Sequence, residues 1–133
     1  MLWLEGGCLC GAVRYRVTGK PYHLTHCHCA SCRRASAAAC LTWFSVKSDE
    51  FQVLQGGLTE FASSPKVVRT FCSRCGTPLT YRQITQAEEV DITLCSLDHP
   101  GTLTPEDHTW VSSRLPWVRI CDGLPQHERS RQG

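Results

Sequence analysis

Hydrophobic and polar side chains alternate along several short stretches of the chain. In the segment AVRYRV, Val13, Tyr15 and Val17 alternate with Arg14 and Arg16, which is the pattern of a half-buried strand. Later runs rich in β-branched and aromatic residues lie between Gly, Pro and Ser, and they are FQVLQ, KVVRTF, PLTYRQ, VDITLCSL and HTWVSSR. We predict that each of these runs forms a short strand.

One segment, SCRRASAAA, predicts a helix that begins beside Cys32. It can extend for two turns at most, because the β-branched Thr42 and the aromatic Trp43 and Phe44 that follow favour extended structure. Several short strands and one short helix predict a mainly β fold made of small antiparallel sheets.

The length and composition favour a single domain with a small core. The chain has 133 residues, and its 41% of hydrophobic residues includes ten cysteines. The aliphatic and aromatic core is therefore leaner than that share suggests, and bound metal would supply the missing stability. We expect one zinc-binding domain over residues 1–127 and a polar C-terminal tail over residues 128–133.

Charge and hydropathy exclude several classes of function. The opening segment MLWLEGGCLC lacks the basic and apolar regions of a signal peptide, and no later segment has the apolar length of a membrane span. The net charge of +2 is too small to indicate a nucleic-acid partner. We therefore expect a cytoplasmic protein without nucleic-acid or membrane partners, and the sequence predicts no oligomeric state. In a reducing compartment, closely spaced cysteines favour metal over disulfides.

Seven of the ten cysteines lie in three motifs. These are CLC (Cys8 and Cys10), CHCASC (Cys27, Cys29 and Cys32) and CSRC (Cys72 and Cys75). Thiolates two or three residues apart can reach one tetrahedral zinc ion at about 2.3 Å. The CLC and CSRC motifs each supply half of such a site, and Gly76 can take the positive φ that a zinc knuckle needs. Together they predict a closed structural zinc site.

The middle motif has three cysteines, and its fourth ligand stays open. Because neighbours on an extended segment point to opposite sides, His26 and His28 do not easily join the ion held by the cysteines between them. Cys40 or a distant histidine is one possibility, and an open position for water or substrate is the other. For His23, His99, His108 and His127 we expect surface or hydrogen-bonded roles.

The motifs GGCLCGAVRY, CHCASCRRAS, FCSRCGTPL, DITLCSLDHP and HTWVSSRLPW resemble, in that order, the glutathione-dependent formaldehyde-activating enzymes. The resemblance extends from Gly6 to about Pro125 and implies a β-tent, in which zinc staples small antiparallel sheets. It implies two zinc ions, a structural one on Cys8, Cys10, Cys72 and Cys75 and a catalytic one on Cys27, Cys29 and Cys32. One departure is Ala37, a position that is often glycine in the family.

The resemblance also implies an activity, namely the joining of formaldehyde to the thiol of glutathione by a carbon–sulfur lyase. Three thiolates leave the catalytic zinc with a net charge of −1, and a substrate thiolate would add another negative charge. Arg33 and Arg34 follow Cys32 directly, and either could screen the cluster or bind a carboxylate of glutathione.

Two other functions compete with this interpretation. A non-enzymatic zinc module, as in centromere protein V-like domains, is the first alternative. Thiol redox chemistry at CSRC is the second, but that chemistry needs a helix after the motif, whereas CSRCGTPLTY leads into a predicted strand.

Overall fold

The computed structural model describes residues 3–131, which form ten strands and one α-helix. In chain order the elements are β1 (Leu4–Gly7), β2 (Arg14–Val17), β3 (Tyr22–Cys27), α1 (Ala30–Ser36), β4 (Leu41–Lys47), β5 (Phe51–Gln55), β6 (Leu58–Ser64), β7 (Val67–Cys72), β8 (Pro78–Gln83), β9 (Glu89–Thr93) and β10 (Asp107–Thr109). Short 3-10 turns connect several of them. The prediction of a mainly β fold with one short helix is confirmed.

The strands form two sheets. The small sheet has the order β1-β2-β5, and the large sheet has the order β10-β3-β4-β9-β8-β7-β6. All neighbours are antiparallel except β10, which pairs in parallel with β3 and places Thr109 beside Cys27. A late segment of the chain therefore lies against the strand that ends in the CHCASC motif.

The core lies where side chains from the two sheets meet. Tyr15 and Val17 from β2 belong to the same buried cluster as Phe44 from β4 and Ile92 from β9, and each has no exposed surface. The alternation predicted for AVRYRV is confirmed, because the arginines of β2 are only half-buried. Full burial of each such side chain contributes about 1.5–3 kcal/mol.

The helix begins earlier and ends earlier than the segment SCRRASAAA predicts. Cys29 is its N-cap, and the cysteine sulfur accepts a hydrogen bond from the backbone N–H of Cys32. Ala37 lies in the left-handed region with φ of 53° and ends the helix. A left-handed residue cannot continue a right-handed helix, so Ala38 and Ala39 lie outside it despite their helical propensity.

The later strands also differ in extent from their predictions. Within HTWVSSR only His108 and Thr109 belong to a strand, because Trp110 has φ of 57° and leads into a 3-10 turn. Residues 128–131 of the predicted tail are tied to the domain, since Trp110 donates its backbone N–H to the carbonyl of Arg129. The guanidinium of Arg131 forms an ion pair with Asp107. None of the helices in the described residues combines the length and the apolar character that crossing a bilayer requires.

Candidate metal centres and active site

Four cysteines converge at one edge of the molecule, and we call them the four-cysteine cluster: Cys8, Cys10, Cys72 and Cys75. Their sulfurs lie within 4.8 Å of one another. The sulfur of Cys10 is 3.5 Å from that of Cys8 and 3.8 Å from that of Cys72. Sulfurs bound tetrahedrally to zinc at about 2.3 Å are about 3.8 Å apart, so this donor set fits zinc. The two motifs therefore meet as the sequence predicts.

Local hydrogen bonds lower the pKa of the Cys8 and Cys75 thiols in the four-cysteine cluster, whereas burial and the neighbouring thiols raise the pKa of Cys10 to about 11. The backbone N–H of Val13 lies 3.2 Å from the sulfur of Cys8, and that of Cys75 lies 3.3 Å from the sulfur of Cys72. The hydroxyl of Thr77 hydrogen-bonds the sulfur of Cys75 and lowers the pKa of that thiol to about 5. Gly76 has φ of 81°, as expected for the turn after the second cysteine pair.

Three further cysteines converge where β3 meets α1, and we call them the three-cysteine cluster: Cys27, Cys29 and Cys32. Their sulfurs also lie within 4.8 Å of one another. The indole N–H of Trp43 lies 3.4 Å from the sulfur of Cys32 and donates to it. Within residues 3–131, no histidine, aspartate, glutamate or further cysteine joins this group. Cys40 lies outside it.

The charges of the three-cysteine cluster would suit a bound cation. Hydrogen bonds from Cys27 and Cys32 lower the pKa of the Cys29 thiol, while Cys29 and Cys32 together with burial raise the pKa of Cys27. Without a cation, ionising one sulfur therefore opposes ionisation of its neighbours. Three convergent sulfurs are a donor set that suits zinc, with one coordination position left for another ligand.

A cavity of about 910 Å³ opens at the three-cysteine cluster, against the large sheet. All three cysteines line it, and its other walls include Thr25, Trp43, Arg69, Tyr81, Gln83, Glu89, Asp91, Thr109, Trp110 and Arg131. A cavity of this size lies within the range of small-molecule sites. The four-cysteine cluster does not line it.

Strand register places charged and aromatic side chains of the cavity in one row. Asp91 of β9 pairs with Tyr81 of β8, and Tyr81 pairs with Arg69 of β7. The guanidinium of Arg69 lies 5.0 Å from the centre of the Tyr81 ring, and the ring of Trp43 lies 5.9 Å from it. Among the ion pairs of the described residues, Arg69 has no acidic partner. Its charge is therefore available to a ligand.

Asp91 is the carboxylate of this row. The hydroxyl of Ser45 donates a hydrogen bond of 2.6 Å to one of its oxygens. Burial raises the pKa of Asp91 to about 6, even though this hydrogen bond acts in the opposite direction. The carboxyl can therefore be either protonated or ionised within about one pH unit of neutrality.

The arginines chosen from the sequence lie elsewhere. Arg33 and Arg34 belong to α1 and are not among the residues that line the cavity. The Nε–H of Arg33 donates to the backbone carbonyl of His28 at 3.4 Å. The motifs of the sequence do not assign Arg69, Tyr81 and Asp91 to a site, although the alternation of the predicted strands KVVRTF, PLTYRQ and VDIT contained a signal. It placed a charged or aromatic side chain on one face of each strand.

The fold and the site define a class of protein, a mainly β domain with two cysteine clusters that could hold metal, one made of four sulfurs and one of three sulfurs beside a cavity. Residues 3–113 match the family model described as "Glutathione-dependent formaldehyde-activating enzyme". The chain belongs to this family.

Two further proteins are similar to this chain. A Halomonas elongata protein named "Putative glutathione-dependent formaldehyde-activating enzyme" is 30% identical over 131 residues, which cover 88% of this chain and 80% of that protein. The crystal structure of a Rhodobacter sphaeroides protein matches with a TM-score of 0.61 at 20% identity, over 93% of this chain and 99% of that one. The second comparison supports the fold alone.

Proposed function

We propose that this protein is a zinc-dependent carbon–sulfur lyase that joins formaldehyde to the thiol of glutathione, giving S-hydroxymethylglutathione. The observation that carries the proposal is the three-cysteine cluster, whose sulfurs line a cavity large enough for a small thiol. Membership of the family supports the choice of glutathione and formaldehyde.

Each cysteine cluster would hold one zinc ion in this proposal. The four-cysteine cluster would hold a structural ion between β1 and β7, and the three-cysteine cluster a catalytic ion at the cavity. A zinc ion with an open position lowers the pKa of a bound thiol or polarises a carbonyl. The indole of Trp43 holds the sulfur of Cys32 in place through its N–H.

Arg69 would bind the negative charge of the substrate. Its guanidinium lines the cavity, stacks on Tyr81 and acts electrostatically on Cys29, whose pKa it helps to lower. Glutathione carries two carboxylates, and arginine binds a carboxylate through paired hydrogen bonds. The roles predicted for Arg33 and Arg34 stay predictions, and these two side chains would act from outside the lining of the cavity.

Asp91 would hold the proton that the reaction moves. When glutathione adds to formaldehyde, the S–H bond breaks, a C–S bond forms and the carbonyl oxygen becomes a hydroxyl. One proton therefore leaves sulfur and one arrives at oxygen. Asp91 lines the cavity and has a pKa of about 6, so its carboxyl can take up a proton and release it again near neutral pH.

The cytoplasm is the location that suits this chemistry. All ten cysteines lie within the described residues and are free thiols, and a reducing compartment keeps them available for metal. We propose a small thiol as the partner, and we propose neither a nucleic-acid nor a membrane partner.

The test is an exchange measurement, because the adduct also forms without an enzyme. Glutathione, formaldehyde and their adduct are brought to equilibrium, and the rate of exchange between free and hydroxymethylated glutathione is measured by NMR. Zinc-loaded protein should accelerate the exchange in proportion to its concentration. Cys32→Ala should abolish the acceleration, and Cys95→Ser, which changes an exposed cysteine outside both clusters, should retain it.

Two results would count against the enzyme. If glutathione perturbs the metal site of the protein but exchange is not accelerated, the non-enzymatic alternative, a thiol carrier or sensor, replaces it. If neither glutathione nor another small thiol binds, the proposal is wrong.

A further inference from the structure

A third group of potential metal ligands lies outside both cysteine clusters, and we call it the histidine–aspartate cluster: His26, His108 and Asp122. One nitrogen from each histidine and one carboxylate oxygen lie within 4.8 Å of one another. The parallel pairing of β10 with β3 brings His108 beside His26, although the two residues are far apart in sequence. None of the three residues lines the cavity.

Both imidazoles are hydrogen-bonded through their Nδ1 atoms. Nδ1 of His26 is 2.8 Å from the hydroxyl of Thr42, and Nδ1 of His108 is 2.9 Å from Nε2 of His28. Nε2 of His26 is then left without a partner among the described residues, whereas Nε2 of His108 faces Asp122. Metal-binding histidines are usually oriented in this way, with the second nitrogen fixed by a neighbouring polar group.

Asp122 completes the group from the loop after Cys121. Its carboxylate lies 2.7 Å from Nε2 of His108. Two donors on one zinc ion, each at about 2.0–2.2 Å, are about 3.0–3.5 Å apart, so the carboxylate must retreat by only about half an ångström. The side chain of Asp122 is 41% exposed and can make that movement.

A simple hydrogen-bonded network accounts for only part of the arrangement. It explains the contacts of His108 with His28 and Asp122, but it gives no role to Nε2 of His26, which has no hydrogen-bond partner within residues 3–131. The rings of His26 and His108 stack with their centres 4.8 Å apart. A cation bound by Nε2 of each ring and by the carboxylate would use all three groups, and it would replace the hydrogen bond between His108 and Asp122.

We propose that His26, His108 and Asp122 bind a third divalent transition-metal ion, such as zinc, on the side of β3 that faces away from the cavity. The protons balance without a change in total charge on the imidazoles. In the metal-free state Nε2–H of His108 donates to Asp122, and Nε2–H of His28 donates to Nδ1 of His108. When metal takes Nε2 of His108, that ring carries its proton on Nδ1 and donates to His28.

His28 then carries its own proton on Nδ1, a buried atom without a hydrogen-bond partner in the described structure. An unpaired buried N–H opposes binding. The third ion should therefore bind more weakly than the ions of the two cysteine clusters. It would tie the loop of Asp122 to β3, the strand that ends in Cys27.

Metal stoichiometry tests the proposal on the whole chain. The protein is titrated with Co²⁺, excess metal is removed, and metal per chain is measured by mass spectrometry. Thiolate sites give strong sulfur-to-cobalt charge-transfer absorption, whereas nitrogen and oxygen ligands give only weak visible bands. We expect a third equivalent that binds after the charge-transfer absorption has saturated.

Asp122→Asn and His26→Gln should each weaken binding of this third equivalent at least tenfold and leave the charge-transfer absorption unchanged. That absorption also reports that each variant is folded and that its cysteine clusters are intact. Asp49→Asn, which changes another exposed aspartate, is the matched control and should bind as the parent does. Saturation at the cysteine clusters with no further equivalent overturns the proposal. A third equivalent that both variants retain is a surface ion and overturns it too.

Discussion

Burial alone would suggest that the four-cysteine cluster is the accessible site and the three-cysteine cluster the closed one, but the arrangement of the sulfurs indicates the opposite. In the four-cysteine cluster Cys10 is exposed, yet four sulfurs surround the site and leave no place for substrate. In the three-cysteine cluster Cys27 and Cys32 are buried, yet all three sulfurs border a cavity. The number of protein donors and the space beside them, rather than solvent exposure, separate a structural metal site from a catalytic one.

The positions of the ligands along the chain explain this difference. The four-cysteine cluster joins two chain segments more than sixty residues apart, since its ligands come from the loop after β1 and from the end of β7 with the turn that follows it. The three-cysteine cluster is local, and its ligands lie at the end of β3 and the start of α1. Because its ligands come from one short segment, the other side of the three-cysteine cluster can face the cavity, whose walls are made by other strands.

The largest effect should come from breaking the four-cysteine cluster. Cys75→Ser removes one of four ligands, and structural zinc contributes on the order of 10 kcal/mol to the folding of small domains. We expect little folded protein, checked by circular dichroism and zinc content. A Cys75→Ser protein with the melting temperature and the full zinc content of the parent would show that this site does not stabilise the fold. Cys95→Ser is the control.

Breaking the three-cysteine cluster should have a smaller effect on folding. Cys32→Ala should bind one ion fewer than the parent and remain folded, because the four-cysteine cluster is intact. We expect the loss of all catalysed exchange with a decrease in melting temperature of only a few degrees. Collapse of the fold in Cys32→Ala, as in Cys75→Ser, would mean that both clusters are structural.

Replacing Arg69 tests whether the arginine in the wall of the cavity binds glutathione beside the three-cysteine cluster. Arg69→Gln should weaken glutathione binding about 10- to 100-fold, the usual value of a charge-assisted hydrogen bond of about 1.5–3 kcal/mol. Titration calorimetry on zinc-loaded protein measures the affinity. Arg33→Gln and Arg34→Gln, measured in parallel, decide between the cavity arginine and the two predicted from the sequence, and Arg74→Gln is a control on the exposed knuckle of the other cluster.

Asp91 should make stability depend on pH. Its pKa is raised to about 6 by burial, so the folded state binds this proton more tightly than the unfolded state does. The resulting stability is complete below about pH 4 and is lost as pH rises through about 6, a change of about 3 kcal/mol in all, of which about 2 kcal/mol falls above pH 4.5. Thermal melts from pH 4.5 to 7.5 should show this loss in the parent relative to Asp91→Asn. Because zinc affects both proteins alike, parallel curves would contradict the assignment.

The smallest effect concerns the helix that contains Cys32 and has Cys29 as its N-cap. Ala37→Gly relieves a left-handed alanine at the end of α1, which costs about 1–2 kcal/mol, but adds chain entropy to the unfolded state. We expect a net gain of about 0.5–1 kcal/mol, or a few degrees in melting temperature. Ala35→Gly, inside the helix, should destabilise the protein instead. If Ala37→Gly lowered the melting temperature, the inference that the backbone at Ala37 is strained would be wrong.

Local patterns were sufficient to predict most of the strands and both cysteine clusters. Alternation over two residues placed Tyr15 and Val17 in the core, and the spacing of the motifs grouped the sulfurs. The end of α1 was missed because alanine has high helix propensity, whereas the backbone at Ala37 is set by the turn into β4.

The cavity could not be predicted from local patterns, because it depends on register between distant strands. The row that joins Arg69, Tyr81 and Asp91 exists only once β7, β8 and β9 pair in their observed order. The same is true of His108, which reaches His26 through a parallel pairing of strands that neither segment specifies alone.

The distance along the chain between Cys10 and Cys72, 62 residues, has a consequence for the order of events during synthesis. Cys8 and Cys10 leave the ribosome long before their two partners do, whereas the local three-cysteine cluster is complete within a few residues. A metal ion that binds early in synthesis therefore encounters the complete three-cysteine cluster and only half of the four-cysteine cluster, namely Cys8 and Cys10. The loop between Cys10 and Cys72 closes late. Until it closes, the thiols of Cys8 and Cys10 can be oxidised or can bind another metal. Refolding in vitro should accordingly become faster and more complete when zinc is present from the start.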